Sequence, residues 1–254
     1  MSNVATKAKK PNLSVKSVLN WILDHAMIIV IVLLALYVQT QRDAFLKPAS
    51  LINIISLTAA RLPMALGVAG CIILAGTDIS AGRQVGLAAC ISAGLQLTTN
   101  KLFPGLQILP IPVVLLCVLV ACAMVGFVNG FFMAKFKLHP FIVTLSTQLI
   151  VYGLVLLFMQ LGTNGGQTLS GMSEGYRNFI IKPLLTLKTS SGPVTVPRYV
   201  LYSTIITAIV WVIWNKTAFG KNMYAVGSNE EAANVSGVNV SKTIILVFVM
   251  AGML

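Results

Sequence analysis

Apolar residues come in long runs along this chain, and shorter polar segments separate them. The first run extends from about Trp21 to Val38, the second from Leu51 to Ala75 and the third from Val85 to Leu97. A fourth covers Leu109 to Met133, a fifth Pro140 to Leu161 and a sixth Tyr199 to Trp214, and a seventh starts near Thr243 and reaches Leu254. A helix needs about 20 apolar residues to cross the hydrocarbon core of a bilayer. Backbone groups in lipid must be satisfied within the segment, so each run predicts a helix. Strands of a membrane barrel would be about ten residues long and alternate in polarity, which these runs do not. The pattern predicts an all-α polytopic transmembrane helix bundle, about six complete spans plus a truncated seventh, forming one domain over residues 1–254. The segment Thr243 to Leu254 rises only about 18 Å as a helix, against a core about 30 Å thick. The expectation is therefore a fragment, incomplete at its C-terminus.

The polar segments differ in kind. Between the second and third runs stands Gly76-Thr77-Asp78-Ile79-Ser80-Ala81-Gly82-Arg83-Gln84. Non-helical backbone at membrane depth is tolerated only where it is buried in protein or lines a cavity. Asp78 and Ser80 can cap a helix beginning near Ala81, while Gly76 and Gly82 allow close backbone approach. An ordinary turn between two helices is the plainer reading. Residues 162–198, rich in Gly, Ser and Thr, form an excursion outside the membrane with one short helix. In the segment 215–242, Ser228 or Asn229 can cap a helix, Glu230 and Glu231 suit its first turn, and Gly237 can end it. Two turns of helix are marginal alone in water, so something should dock there.

Composition narrows the class. Apolar residues make up 57% of the chain and charged ones 9%, with mean hydropathy +0.88, whereas soluble domains carry about a quarter charged residues. The net charge of +12 does not mark a nucleic-acid partner, because the basic residues punctuate the ends of apolar runs. Their bias places the N-terminus in the cytoplasm with Lys7, Lys9, Lys10, Lys16, Arg83, Lys135, Lys137, Lys216, Lys221 and Lys242 on the inner side. Arg42, Lys47, Lys101 and the excursion fall outside. The basic N-terminus lacks a small-residue cleavage site, so the first helix is retained.

Candidate chemistry is sparse. No phosphate-binding glycine loop, zinc-protease motif or nucleophile elbow is present. Cys71, Cys90, Cys117 and Cys122 lie in apolar runs without metal-ligand spacing, as small hydrophobes in helix packing do. His25 and His139 have no partner ligands. The chain is expected to be no enzyme and to hold no metal or cofactor of its own. Arg61, near the middle of the second run, costs about 2.5–3.5 kcal/mol in lipid, so it faces either a polar path or a packed interior; both remain open.

Three segments together resemble the permeases of ATP-binding cassette (ABC) importers for ribose, xylose and galactose. Gly76-Thr-Asp-Ile-Ser-Ala-Gly82 is similar to that family's Gly-Ile-Asp-Leu-Ser-Val-Gly signature, and Pro140-Phe-Ile-Val-Thr-Leu145 to its proline-led fifth span. Phe219-Gly220-Lys221 through Glu230-Glu231-Ala232-Ala233, ending Ser236-Gly237-Val238, resembles its cytoplasmic coupling loop. Thr77 stands where isoleucine is usual, and Arg83-Gln84 where small residues are commoner. The string 76–89 looks most like the galactose/methyl-galactoside branch. The resemblance implies a bacterial inner-membrane permease working as two copies among lipid, with a separate ATP-binding subunit and a periplasmic sugar-binding protein. It implies coupling to the ATPase through Gly220, Asn229, Glu230, Glu231, Ala232, Ala233 and Gly237. Gly76, Asp78, Ser80, Gly82 and Arg61 are left for the sugar path or the structural turn, the structural role being preferred for Asp78. An ion-coupled secondary transporter is the alternative, with Asp78 as its one candidate carboxylate.

Overall fold

A computed structural model describes residues 15–42, 45–99, 101–103, 105–162, 165–189 and 192–254. Lys7, Lys9 and Lys10, and Pro104 of the loop before the fourth run, lie outside the described residues. The chain forms two compact units, residues 1–53 and 54–254.

In the first unit, α1 (Val15–Asp24) and α2 (Ala26–Gln41) meet at His25. His25 leaves helical geometry at φ −108, ψ 10, and its ring stacks on Trp21 with centroids 4.7 Å apart. The first apolar run is therefore two helices with a break near its start, where the sequence predicted one. No residue of α2 is buried within the protein.

The second unit takes most of α3 (Pro48–Ile73), followed by α4 (Ala81–Gln96), α5 (Ile111–Phe136) and α6 (Pro140–Met159). After α7 (Glu174–Ile181) come two strands, then α8 (Arg198–Lys216), α9 (Ala218–Ser228), α10 (Glu230–Val235) and α11 (Val240–Met253). Prolines open α5 and α6, where the missing N–H costs nothing. Four helices, α3, α5, α6 and α8, are long and apolar enough to cross a membrane; α2 and α11 are apolar but shorter. The protein is thus mostly helical and polytopic.

Successive helices run between two polar ends. At one end the 74–80 turn meets Pro140, Gly227 approaches the Ile73 carbonyl, and α9 and α10 pack beside α11. At the other, Leu97 bridges Met172 and Gln96 Nε2 donates to Leu109 O at 2.7 Å. The core lies where α11 seats on α5. A Cβ on Gly130 would come within 2.7 Å of Ile245 Cα, and one on Gly126 would collide with the Phe248 carbonyl. Small residues on one helix face let two backbones approach, which is how helices pack when lipid supplies no hydrophobic drive. Val247 and Phe248 are fully buried as a result.

One feature departs from the expected all-α fold, and another adds a helix to it. The excursion holds α7 as expected, but also an antiparallel hairpin of β1 (Pro183–Thr189) and β2 (Gly192–Pro197). Thr186 faces Thr195 and Leu187 faces Val194, β-branched and apolar pairs suited to a ladder. The polar segment 215–242 contains α9 as well as α10. Thr217 Oγ1 accepts from Gly220 N at 3.4 Å, a cap the polar composition concealed.

Candidate functional site

The break between α3 and α4 begins with a helix stop. Gly76 N donates to Cys71 O at 3.0 Å and Ala75 N to Ile72 O at 2.9 Å, the paired bonds of a Schellman ending. The left-handed residue is Ala75, at φ 54, where glycine is usual. The chain then enters the protein interior and Asp78 becomes the centre of a polar knot.

Asp78 is 4% exposed, Ser80, Asn129 and Thr144 are fully buried, and Gln84 is 4% exposed. Asp78 Oδ1 accepts from Ser80 N at 2.8 Å and from Ser80 Oγ at 2.5 Å. Gln84 Nε2 donates to Asp78 Oδ2 at 3.3 Å and to Ser80 Oγ at 2.8 Å. From α5, Asn129 Nδ2 reaches the same hydroxyl at 3.0 Å. Thr144 of α6 accepts from Ile79 N at 3.3 Å, and its hydroxyl faces Pro140 O at 2.9 Å. The knot thus ties the turn to three helices.

Several expectations for this segment are corrected here. The Ser80 side chain does not cap α4; its hydroxyl is spent on Asp78, Gln84 and Asn129. Gly76 does allow close approach, since a Cβ there would sit 3.2 Å from Pro140 Cγ, but a Cβ on Gly82 would meet nothing within 4 Å. Arg61 faces outward, away from the knot, on a shallow surface with Leu57, Thr58 and Leu62. Arg83, expected among the charges of the inner loop, lies inside α4 with its guanidinium 4.4 Å from the Tyr152 ring centroid. The knot brings Asp78 and Ser80 together with Gln84, which ends the same polar interruption, and with two residues of distant apolar runs that the sequence did not mark, Asn129 and Thr144. Asn129 could have been found as a lone amide in a long apolar run.

The residues expected to meet an ATPase sit at one polar end. Asn229, not Ser228, caps α10: its Oδ1 accepts from Ala232 N at 2.9 Å. Ala233 is buried against Val226 and Val240, and Gly237 turns the chain at φ 82. Gly220 is packed so closely on the Trp214 backbone that a Cβ has no room. Glu230 and Glu231 are exposed and border an open groove of about 600 Å³ with Lys137 on its far wall. Val235 ends α10 with 90% of its surface exposed, a feature the sequence analysis passed over.

The remaining candidates are structural. His139 Nδ1 accepts from Phe141 N at 3.4 Å at the start of α6. Cys71, Cys90 and Cys122 are buried free thiols, and Cys117 is an exposed one. Among the described residues no three His, Cys, Asp or Glu side chains gather as metal ligands would.

Comparison with known proteins places this arrangement. The family described as "Branched-chain amino acid transport system / permease component" matches residues 50–254. The galactose/methyl galactoside import permease protein MglC of Salmonella typhimurium is 39% identical over 243 residues, 94% of this chain and 70% of that one. Its namesake in Haemophilus influenzae is 40% identical over 233 residues, covering 91% of this chain and 67% of the relative. The ribose import permease protein RbsC of the same species is 29% identical over 232 residues, 91% and 65% of the two chains. No solved structure matches the chain. With apolar helices that run between two polar ends, and a match over four fifths of its length, the chain belongs to the family of branched-chain amino acid transport system permease components, as a multi-pass inner-membrane protein.

Proposed function

We propose that this chain is the permease subunit of an ABC importer carrying galactose or methyl galactosides across the inner membrane. The relatives named for that cargo supply the substrate class. The observation that carries the coupling mechanism is α10: a capped helix at one polar end, leaving Val235 90% exposed above its buried Ala233. An apolar side chain so exposed at a helix tip suits an anchor for another protein. That protein is a separate ATP-binding subunit, which Glu230, Glu231 and the neighbouring groove receive. The permease itself hydrolyses nothing.

In this reading the N-terminus and residues 215–242 are cytoplasmic, and residues 162–198 face the periplasm and its sugar-binding protein. Six helices cross the membrane, α2 and α4 among them despite their length, and α11 is a further apolar helix. Two copies in lipid enclose the sugar path. The Asp78 knot organises the turn rather than binding the cargo, since both carboxylate oxygens are taken by Ser80 and Gln84. Arg61 on the outer face of α3 meets a neighbouring copy or the polar path. The same engagement of Asp78 disfavours ion coupling, which needs a carboxylate free to bind the ion.

The test is transport in proteoliposomes by the complete permease with its ATPase and binding protein. Uptake of galactose that requires ATP supports the reading, and uptake driven by a proton or sodium gradient alone rejects it. Val235→Cys is expected to crosslink to cysteines placed on the ATPase surface.

A further inference from the structure

The outward face of α4 is unlike that of its neighbours. On α5 and α6 most exposed positions are large and apolar, such as Leu116, Val120, Leu149, Ile150 and Leu157. On α4 they are Gly82, Arg83, Gly86 and Ala89, with Val85 the one exposed large hydrophobe among the described residues. Lipid rewards the first kind of surface and not the second.

Arg83 makes the contrast sharper. Tyr152 lies twelve residues along the 20-residue α6, about 18 Å from its start and so near mid-depth. The guanidinium over that ring therefore lies alongside the length of α6 and not beyond its end. It also stands in the first turn of α4, where the helix dipole opposes a cation. The acidic residue nearest in sequence, Asp78, already spends its oxygens on Ser80 and Gln84. Arg83 has a cation–π partner but no carboxylate among the described residues, and its donors remain to be matched. One turn earlier on α6, Gln148 Oε1 has no hydrogen-bond partner among the described residues. A charge so placed belongs on a water-filled path or against protein, not in lipid.

We infer that the α4–α6 face bearing Arg83 and Tyr152 lines the water-filled path and that Arg83 donates hydrogen bonds to the hydroxyls of the passing sugar. The inference rests on the proposed import of a sugar. A neutral polyhydroxylated cargo suits this face, because guanidinium N–H groups bind hydroxyls without needing an opposite charge. Gly82, Gly86 and Ala89 leave room beside them: a Cβ on Gly82 or Gly86 would meet nothing within 4 Å. Arg83 would act as a weak, selective contact during passage.

The experiment uses the complete importer, reconstituted with its ATPase and binding protein. Galactose uptake by the unmodified importer is measured first, and its absence rejects the import reading itself. With uptake established, Gly86→Cys is introduced after the native cysteines are replaced, and labelled with a charged, water-soluble thiol reagent. Labelling at least tenfold faster than at Ile150→Cys, and slowed by saturating galactose during turnover, is expected. Labelling no faster than at Ile150→Cys would place the face in lipid or packed protein and overturn the inference. A spontaneous Gly86→Cys disulfide between two copies, without sugar-sensitive labelling, would overturn it in favour of a permease–permease contact. Arg83→Gln, normalised to permease in the membrane, should lower galactose uptake about tenfold and change the ratio of galactose to deoxygalactose uptake. An unchanged ratio would remove Arg83 from selectivity.

Discussion

At Asp78, one carboxylate accepts from a backbone N–H, a serine hydroxyl and a glutamine amide. Truncation to alanine strands these donors in a buried site, at about 1–3 kcal/mol for each unpaired group. Asp78→Ala should therefore reduce the folded permease recovered in membranes, whereas Asp78→Asn, which keeps an acceptor toward Ser80, should be mild. Normal abundance and ATPase stimulation in Asp78→Ala with sugar flux abolished would move Asp78 from the turn to the path. Three residues earlier, Ala75 occupies the left-handed region at φ 54, which costs a residue with a Cβ about 1–2 kcal/mol. Ala75→Gly should raise the thermal midpoint in detergent by about 2–4 °C; an unchanged or lower midpoint would mean that the unfolded-state entropy of glycine cancels the relief. Gly76, Asp78 and Ser80 are legible in the sequence because a polar interruption between apolar runs is visible in one dimension. Gln84 stands in the same interruption, six residues from Asp78, whereas Asn129 and Thr144 joined only because α5 and α6 bring positions 49 and 67 residues away in sequence to the same turn.

Helices α5 and α11 pack through glycine, so their seam should tolerate little. Gly126→Leu would drive a side chain into the Phe248 backbone, an overpacking change expected to cost about 3 kcal/mol or more. Gly153 also lies within a long apolar helix, but a Cβ there would meet nothing within 4 Å. Gly153→Ala should be neutral or gain the roughly 1 kcal/mol that alanine holds over glycine in helices. Equal losses from both substitutions in detergent unfolding would show that the seam has no special role. The apolar runs made most of these helices legible, with ends displaced by a few residues. Helix α9 and the hairpin were missed for a physical reason: both are short, and what holds them, the burial of Met223 and Val226 against other helices for α9 and cross-strand pairs for the hairpin, forms only in the folded protein.

For the whole molecule, the proposed orientation has a direct check. Leu187 of β1 is 44% exposed and Glu230 opens α10, so their cysteine variants report opposite polar ends. An impermeant thiol reagent added to intact spheroplasts should label Leu187→Cys at once and Glu230→Cys only after permeabilisation; the reverse pattern would invert the topology. What the sequence by itself determined was the solvent: a chain with 57% apolar and 9% charged residues has too little polar surface to face water, and its run lengths match a bilayer. It also carried the family, because the turn, the proline-led span and the segment 219–238 are local strings. Tertiary structure alone decided which polar groups meet. Arg83 reads as one more loop charge in sequence and becomes an exposed cation over the Tyr152 ring once α4 and α6 lie side by side. Arg61, which the sequence leaves open between a polar path and a packed interior, is exposed on the surface of this chain, because a helix has only one face for each residue and neighbouring helices choose which face they cover.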